Sequence, residues 1–107
     1  MKFYNERKAV AETMVRLYNC HLTTAFGGNI SLRINDEYFC ITPSPLDKGK
    51  LTPDVIAVVR FDGTNMTPSL KLSIESDRHR KILLACPEMK AVCHAHPVYA
   101  CSFSTST

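Results

Sequence analysis

NISLRINDEYFCI, residues 29–41, decides how the chain folds. Ile30, Leu32 and Ile34 fall on one side of an extended backbone and Ser31 and Arg33 on the other. That is the period-two pattern of a strand with one face on a core and one turned outward. Asn35-Asp36 reads as a tight turn, and EYFCI then returns as the antiparallel partner. The apolar side of such a hairpin needs a cover, and the flanking sequence supplies one.

Upstream, residues 2 to about 22 carry Phe3, Val10, Met14, Leu17 and Tyr18 as a helical stripe with charges between them. GGN at 27–29 ends that helix and opens the hairpin. Downstream, TPSPLDKGKLTPD (42–54) holds three prolines and a glycine in thirteen residues. A loop of this length on a rigid frame is a place where function resides. VIAVVRF (55–61) reads as a strand closed by an Asp62-Gly63 turn. Glu75 to about Ala85 has helical spacing until Pro87 stops it, and KAVCHA (90–95) is a last strand. Helix, hairpin, loop, strand, helix, strand is an α/β or α+β order, and a further helix is expected after residue 96.

The 107 residues suit one domain, and 45% hydrophobic with 21% charged residues suits a packed core. A net charge of +3 and one short basic run, DRHRK at 77–81, without interleaved aromatics, read as a solvated helix face and exclude a nucleic-acid footprint. The first fifteen residues lack an apolar leader core, and no apolar run approaches a membrane span. Cys20, Cys40, Cys86, Cys93 and Cys101 form an odd set without C-x-x-C spacing, so free thiols that mostly fill the core of a cytoplasmic protein are expected.

MKAVCHAHPVYA (89–100) sets His94 and His96 one residue apart at the end of the last strand. On an extended chain they share a face about 6.5–7 Å apart, a spacing that two imidazoles converging on one ion can use. Structural or surface histidines are commoner, and two ligands fall short of the three that a catalytic zinc takes. His21 and His79 read as exposed helical residues. Glu75 reads as an acidic residue in the first turn of a helix, where the helix N-terminus favours negative charge.

Taken in order, GGNISLR, ITPSPLDKGKLTPD, VVRFDG, LKLSIES and PEMKAVCHAHPVYA resemble the class II aldolase/adducin family, from about residue 7 to 107. The likeness is to the N-terminal half of fuculose-phosphate and rhamnulose-phosphate type zinc aldolases. It implies a three-layer α/β/α fold with a mixed, largely antiparallel central sheet, incomplete in this chain. Residues 1–107 would then be a single N-terminal domain, a fragment of one about twice as long.

The resemblance also implies roles. Glu75, nineteen residues before His94, matches the catalytic acid/base. His94 and His96 match two of three Zn²⁺ ligands, the third lying beyond this chain. Gly28 and Asn29 match a turn that helps hold the substrate phosphate, and Ser44 and Ser73 match hydroxyl donors to it. The implied activity is cleavage or condensation of a ketose phosphate by a zinc-dependent aldehyde-lyase in sugar catabolism. Zinc would stabilise an ene-diolate and Glu75 would move the proton. The 107 residues alone would be inactive. An epimerase, dehydratase or decarboxylase of the same family is the nearest alternative, and a non-catalytic adducin-like scaffold a further one. A cytoplasmic homotetramer with a phosphorylated sugar as ligand, and neither nucleic acid nor membrane as partner, completes the expectation. Two positions depart from the family pattern. Pro45 stands where glycine is usual, and Ile74 where a second serine is usual, so the phosphate loses potential donors.

Overall fold

The structure, a computed structural model, describes residues 2–20, 28–43, 51–72, 75–95 and 99–104. Its centre is the expected hairpin, β1 (Asn29–Arg33) and β2 (Tyr38–Ile41), paired antiparallel with Leu32 opposite Cys40. The turn spans Asn35–Glu37, one residue more than the two-residue form expected. The Asn35 carboxamide oxygen accepts from the amides of Glu37 and Tyr38 at 2.8 and 2.9 Å, and this side-chain bridge sets the longer turn.

β3 (Ala57–Arg60) adds to β2, and β4 (Met89–Ala95) adds to the other side of β1. The sheet order is β3-β2-β1-β4-β5, every pairing antiparallel. β3 is shorter than the 55–61 expected, because Pro53–Val55 forms a 3-10 turn first. Gly63 closes the following turn at φ 102°, a left-handed conformation that glycine adopts without strain.

β5 (Tyr99–Ser104) corrects the expectation of a helix there. Tyr99, Cys101 and Phe103 alternate with Ala100, Ser102 and Ser104, a period of two that extends the sheet by pairing with β4.

Alternation along each strand builds two cores, one on either side. α1 (Tyr4–Asn19) lays Val10, Ala11 and Met14 on Ile30, Cys40, Val58 and Cys93. Beneath α2 (Glu75–Ala85), Leu83 packs with Phe39, Ile41, Ala57, Val59 and Val92. These are the three layers, α1, sheet and α2. Arg7 of α1 is buried and donates to the carbonyls of Pro53 and Asp54 at 3.1 and 3.2 Å, which ties the end of the long loop to the helix.

Coverage of both faces overturns the outward placement of Ser31 and Arg33. Both lie under α2, and Ser31 is fully buried. Arg33 reaches past the helix end. Its guanidinium donates to the carbonyls of Leu83 and Cys86 and, at 3.1 Å, to that of Met89, with the Phe61 ring 5.1 Å away. The last carbonyls of a helix have no partner within it, and here a strand arginine meets them. Arg33→Met should therefore lower stability by about 2–4 kcal/mol, and Arg33→Lys should recover little, because an ammonium cannot fork to several carbonyls. Urea unfolding checks this, and a loss below about 0.5 kcal/mol would reject the cap.

Among the described cysteines, Cys40 and Cys93 are buried as expected, whereas Cys20 is exposed and Cys86 half-buried. Burial pushes the Cys40 thiol from 9.0 up to about 12, with the Glu6 charge adding to it. The unfolded thiol ionises above pH 9 and the folded one does not, so the folded state binds more protons and stability falls as pH rises from 9 toward 12. The slope is at most about 1.4 kcal/mol per pH unit. Cys40→Ala should flatten the alkaline slope in urea titrations on either side of pH 9, and an unchanged slope would count against the thiol as its source.

Candidate functional site

Of the residues singled out in the sequence, Gly28, Asn29 and His94 come to one edge of the sheet through backbone register. Gly28 precedes β1 at φ 81°, a left-handed turn that a side chain would strain. Asn29 follows it, buried, and its Cα partner across the β1–β4 ladder is His94. Two residues 65 apart in the chain thus form one rung.

Thr42 closes the same edge on the other side of β1. Its amide donates to the Ile30 carbonyl at 3.0 Å, and its Oγ1 accepts from the Ile30 amide at 3.1 Å and donates to Asn29 Oδ1 at 3.2 Å. The long loop therefore departs from beside Asn29. Thr42 was not singled out in the sequence. The available signal was a hydroxyl placed directly after a strand whose partner begins with Gly-Asn.

Glu75 opens α2. Ser31 Oγ lies 2.6 Å from His79 Nδ1, which fixes His79 at the level of the Ser31–Val92 rung. From there to the Asn29–His94 rung is two strand residues, about 6.6 Å. From His79 back to Glu75 is one helical turn, four residues and about 6.0 Å. Glu75 thus opens the helix whose next turn is tied to β1 at the Ser31–Val92 rung. Glu75 is half-buried, its carboxylate accepting from the Arg78 guanidinium at 3.3 Å.

His79 corrects the reading of it as an exposed residue. It is 2% exposed, because the face of α2 that carries His79 and Leu83 packs on the sheet. The rest of DRHRK follows the solvated reading in part. Asp77 pairs with Arg80 at 2.7 Å and Lys81 at 3.2 Å on the outside, while Arg80 also donates to the Phe61 carbonyl at 3.1 Å. These two cations hold the Asp77 carboxyl below its usual range.

Ser44, Ser73, His96 and His21 lie outside the described residues, as do the departures Pro45 and Ile74; for His94 only the strand position is described. Among the described residues no group of three or more His, Cys, Asp or Glu is placed to hold an ion. No described helix is long and apolar enough to cross a membrane.

The sheet edge thus brings together a glycine-asparagine turn, the Thr42 loop anchor and a histidine position. The chain belongs to the class II aldolase/adducin family: the Class II Aldolase and Adducin N-terminal domain matches residues 8–107. It is 39% identical over 74 residues to methylthioribulose-1-phosphate dehydratase of Stenotrophomonas maltophilia, covering 69% of this chain and 35% of that protein. Among solved structures, YgbL of Escherichia coli superposes with a TM-score of 0.81 at 26% identity, covering 87% of this chain and 44% of that one. L-fuculose-1-phosphate aldolase of Thermus thermophilus does so with a TM-score of 0.71 at 31% identity, covering 83% and 44%. The chain spans about a third of the length of the curated relatives it matches.

Proposed function

We propose that this chain is the N-terminal part of a metal-dependent lyase acting on a phosphorylated ketose, and that its reaction is a dehydration. What supports the lyase reading is the Asn29–His94 rung beside the Gly28 turn and the exit of the Thr42 loop, with Glu75 opening the helix that His79 ties to the same strand.

β4 runs extended through Ala95, the backbone that a His-x-His pair needs to present two nitrogens to one ion. His94 and His96 would hold Zn²⁺ with a third ligand from outside residues 1–107, and the ion would supply Lewis-acid polarisation of substrate oxygens. Gly28, Asn29, Ser44 and Ser73 would hold the phosphate, the left-handed turn at Gly28 leaving backbone room for an anion.

Glu75 would take the proton from the carbon next to the ketone. The C–H electron pair becomes the enol double bond, and the hydroxyl on the following carbon leaves with a proton as water. In the aldol alternative, the hydroxyl on the following carbon gives up its proton to a base and becomes the aldehyde carbonyl as the carbon–carbon bond breaks; that bond's electron pair passes to the carbon beside the ketone, where the Glu75 carboxyl would deliver a proton. The curated relatives support dehydration, methylthioribulose-1-phosphate dehydratases at 36–39% identity over 74 residues. A cytoplasmic homotetramer, with residues 1–107 as the first half of one domain, completes this reading.

The test is to incubate the intact gene product with methylthioribulose 1-phosphate and, separately, L-fuculose 1-phosphate, and to follow proton and phosphorus NMR spectra. Loss of water from the first supports dehydration. Dihydroxyacetone phosphate from the second overturns it for the aldolase, and inversion or decarboxylation of a substrate for those alternatives. Inertness of a metal-free product toward both supports a scaffold.

A further inference from the structure

β1 carries polar side chains at three alternate positions, and two of them meet α2. Arg33 holds the carbonyls at the helix end, while Asn29 accepts from Thr42 at the start of the strand. Between them the fully buried Ser31 binds His79, itself 2% exposed, with Oγ and Nδ1 2.6 Å apart. Leu83, the next residue of the same helical stripe, shows what an ordinary contact there looks like. A leucine at position 79 would bury apolar area without desolvating an imidazole and a hydroxyl. What the polar pair adds is direction. A hydrogen bond weakens steeply with angle and distance, so it sets both the height and the rotation of the helix, whereas apolar side chains tolerate sliding.

We propose that the Ser31–His79 pair is a positioning device for Glu75, setting the first turn of α2 against the sheet and so fixing where the carboxylate stands. This deepens the proposed function and rests on its assignment of Glu75 as the proton carrier. Only one turn of helix separates the two residues, so a shift at His79 passes to Glu75 almost undiminished. A misplacement of about 1 Å at a reacting group can cost about 10²-fold in rate. Neither Ser31 nor His79 contacts substrate in this reading, so the effect falls on turnover and spares substrate affinity.

The experiment compares Ser31→Ala, His79→Phe and His79→Asn in the intact gene product, with methylthioribulose 1-phosphate as the probe substrate. Hydrogen exchange of the α2 amides is measured in parallel. Ser31→Ala and His79→Phe should lower kcat about 10- to 100-fold with KM within about twofold. His79→Asn keeps a polar atom near the Nδ1 position and should recover most of the loss. Exchange should rise in the first turn of α2 and stay unchanged at the last turn, which Arg33 holds. If His79→Phe does not fold, Ser31→Ala, which deletes one oxygen, carries the test. Wild-type kcat in folded Ser31→Ala overturns the proposal, and so does a kcat loss with uniformly faster exchange along α2, the mark of a merely structural contact. If neither protein turns the probe over, exchange decides: a rise confined to the first turn supports the pair, and any other pattern overturns it. Glu75→Gln run alongside separates the two readings. Full activity in that variant removes the proton-carrier assignment and the positioning role with it. An inactive Glu75→Gln beside a fully active Ser31→Ala removes only the positioning role.

Discussion

Glu75→Gln in the intact gene product is expected to lose about 10²–10⁴-fold in turnover while keeping its fold and its metal. The substitution preserves size and leaves an oxygen to accept from Arg78, so the ion pair with Arg78 is replaced by a hydrogen bond. That pair is half in water, and its loss is worth under about 1 kcal/mol. A large fall in rate with an unchanged urea midpoint would thus come from chemistry. The discriminating measurement is incorporation of solvent deuterium at the carbon beside the ketone. Exchange at the wild-type rate would reject Glu75 as proton carrier and leave it as a helix-start residue.

The second large effect is on metal. The intact gene product should carry about one zinc per chain, and His94→Ala with His96→Ala together should empty the site and abolish turnover. Backbone pairing of β4 with β1 at the Asn29–His94 rung does not use the imidazole, so the sheet should persist in the circular dichroism spectrum. Residues 1–107 alone, with two imidazoles of the set, should bind zinc weakly and below one equivalent. Elemental analysis that finds zinc unchanged in the double variant would sink the ligand assignment, whatever its activity. Loss of metal and activity together with retained fold would separate the His-x-His pair from the adducin-like scaffold reading.

Much of the frame was legible in local periodicity. The alternation of Ile30, Leu32 and Ile34, the stripe of Val10 and Met14, and the Asp62-Gly63 turn each report on a few neighbouring residues, and each stands in the structure where it was read. The helix boundary at Glu75 also followed from spacing. Tyr99–Ser104 was misread as helix although its own alternation is that of a strand. The resemblance of ordered motifs identified the family, and the family match over residues 8–107 agrees with it.

Tertiary structure alone decided which polar residues are interior. Period-two alternation separates the two faces of a strand, but it does not say whether the polar face meets water or a second helix. Ser31 and Arg33 would look the same in either case. Their partners, His79 and the carbonyls of Leu83, Cys86 and Met89, lie 48 to 56 residues away in the chain. The Asn29–His94 rung arises for the same reason, because β1 sits between β2 and β4 in an order that no local pattern encodes. What the sequence determined by itself was the set of elements and the residue types that bear chemistry. Tying the helix that Glu75 opens to β1 took the Ser31–His79 contact, because a buried polar group is tolerated only when a distant segment supplies its partner.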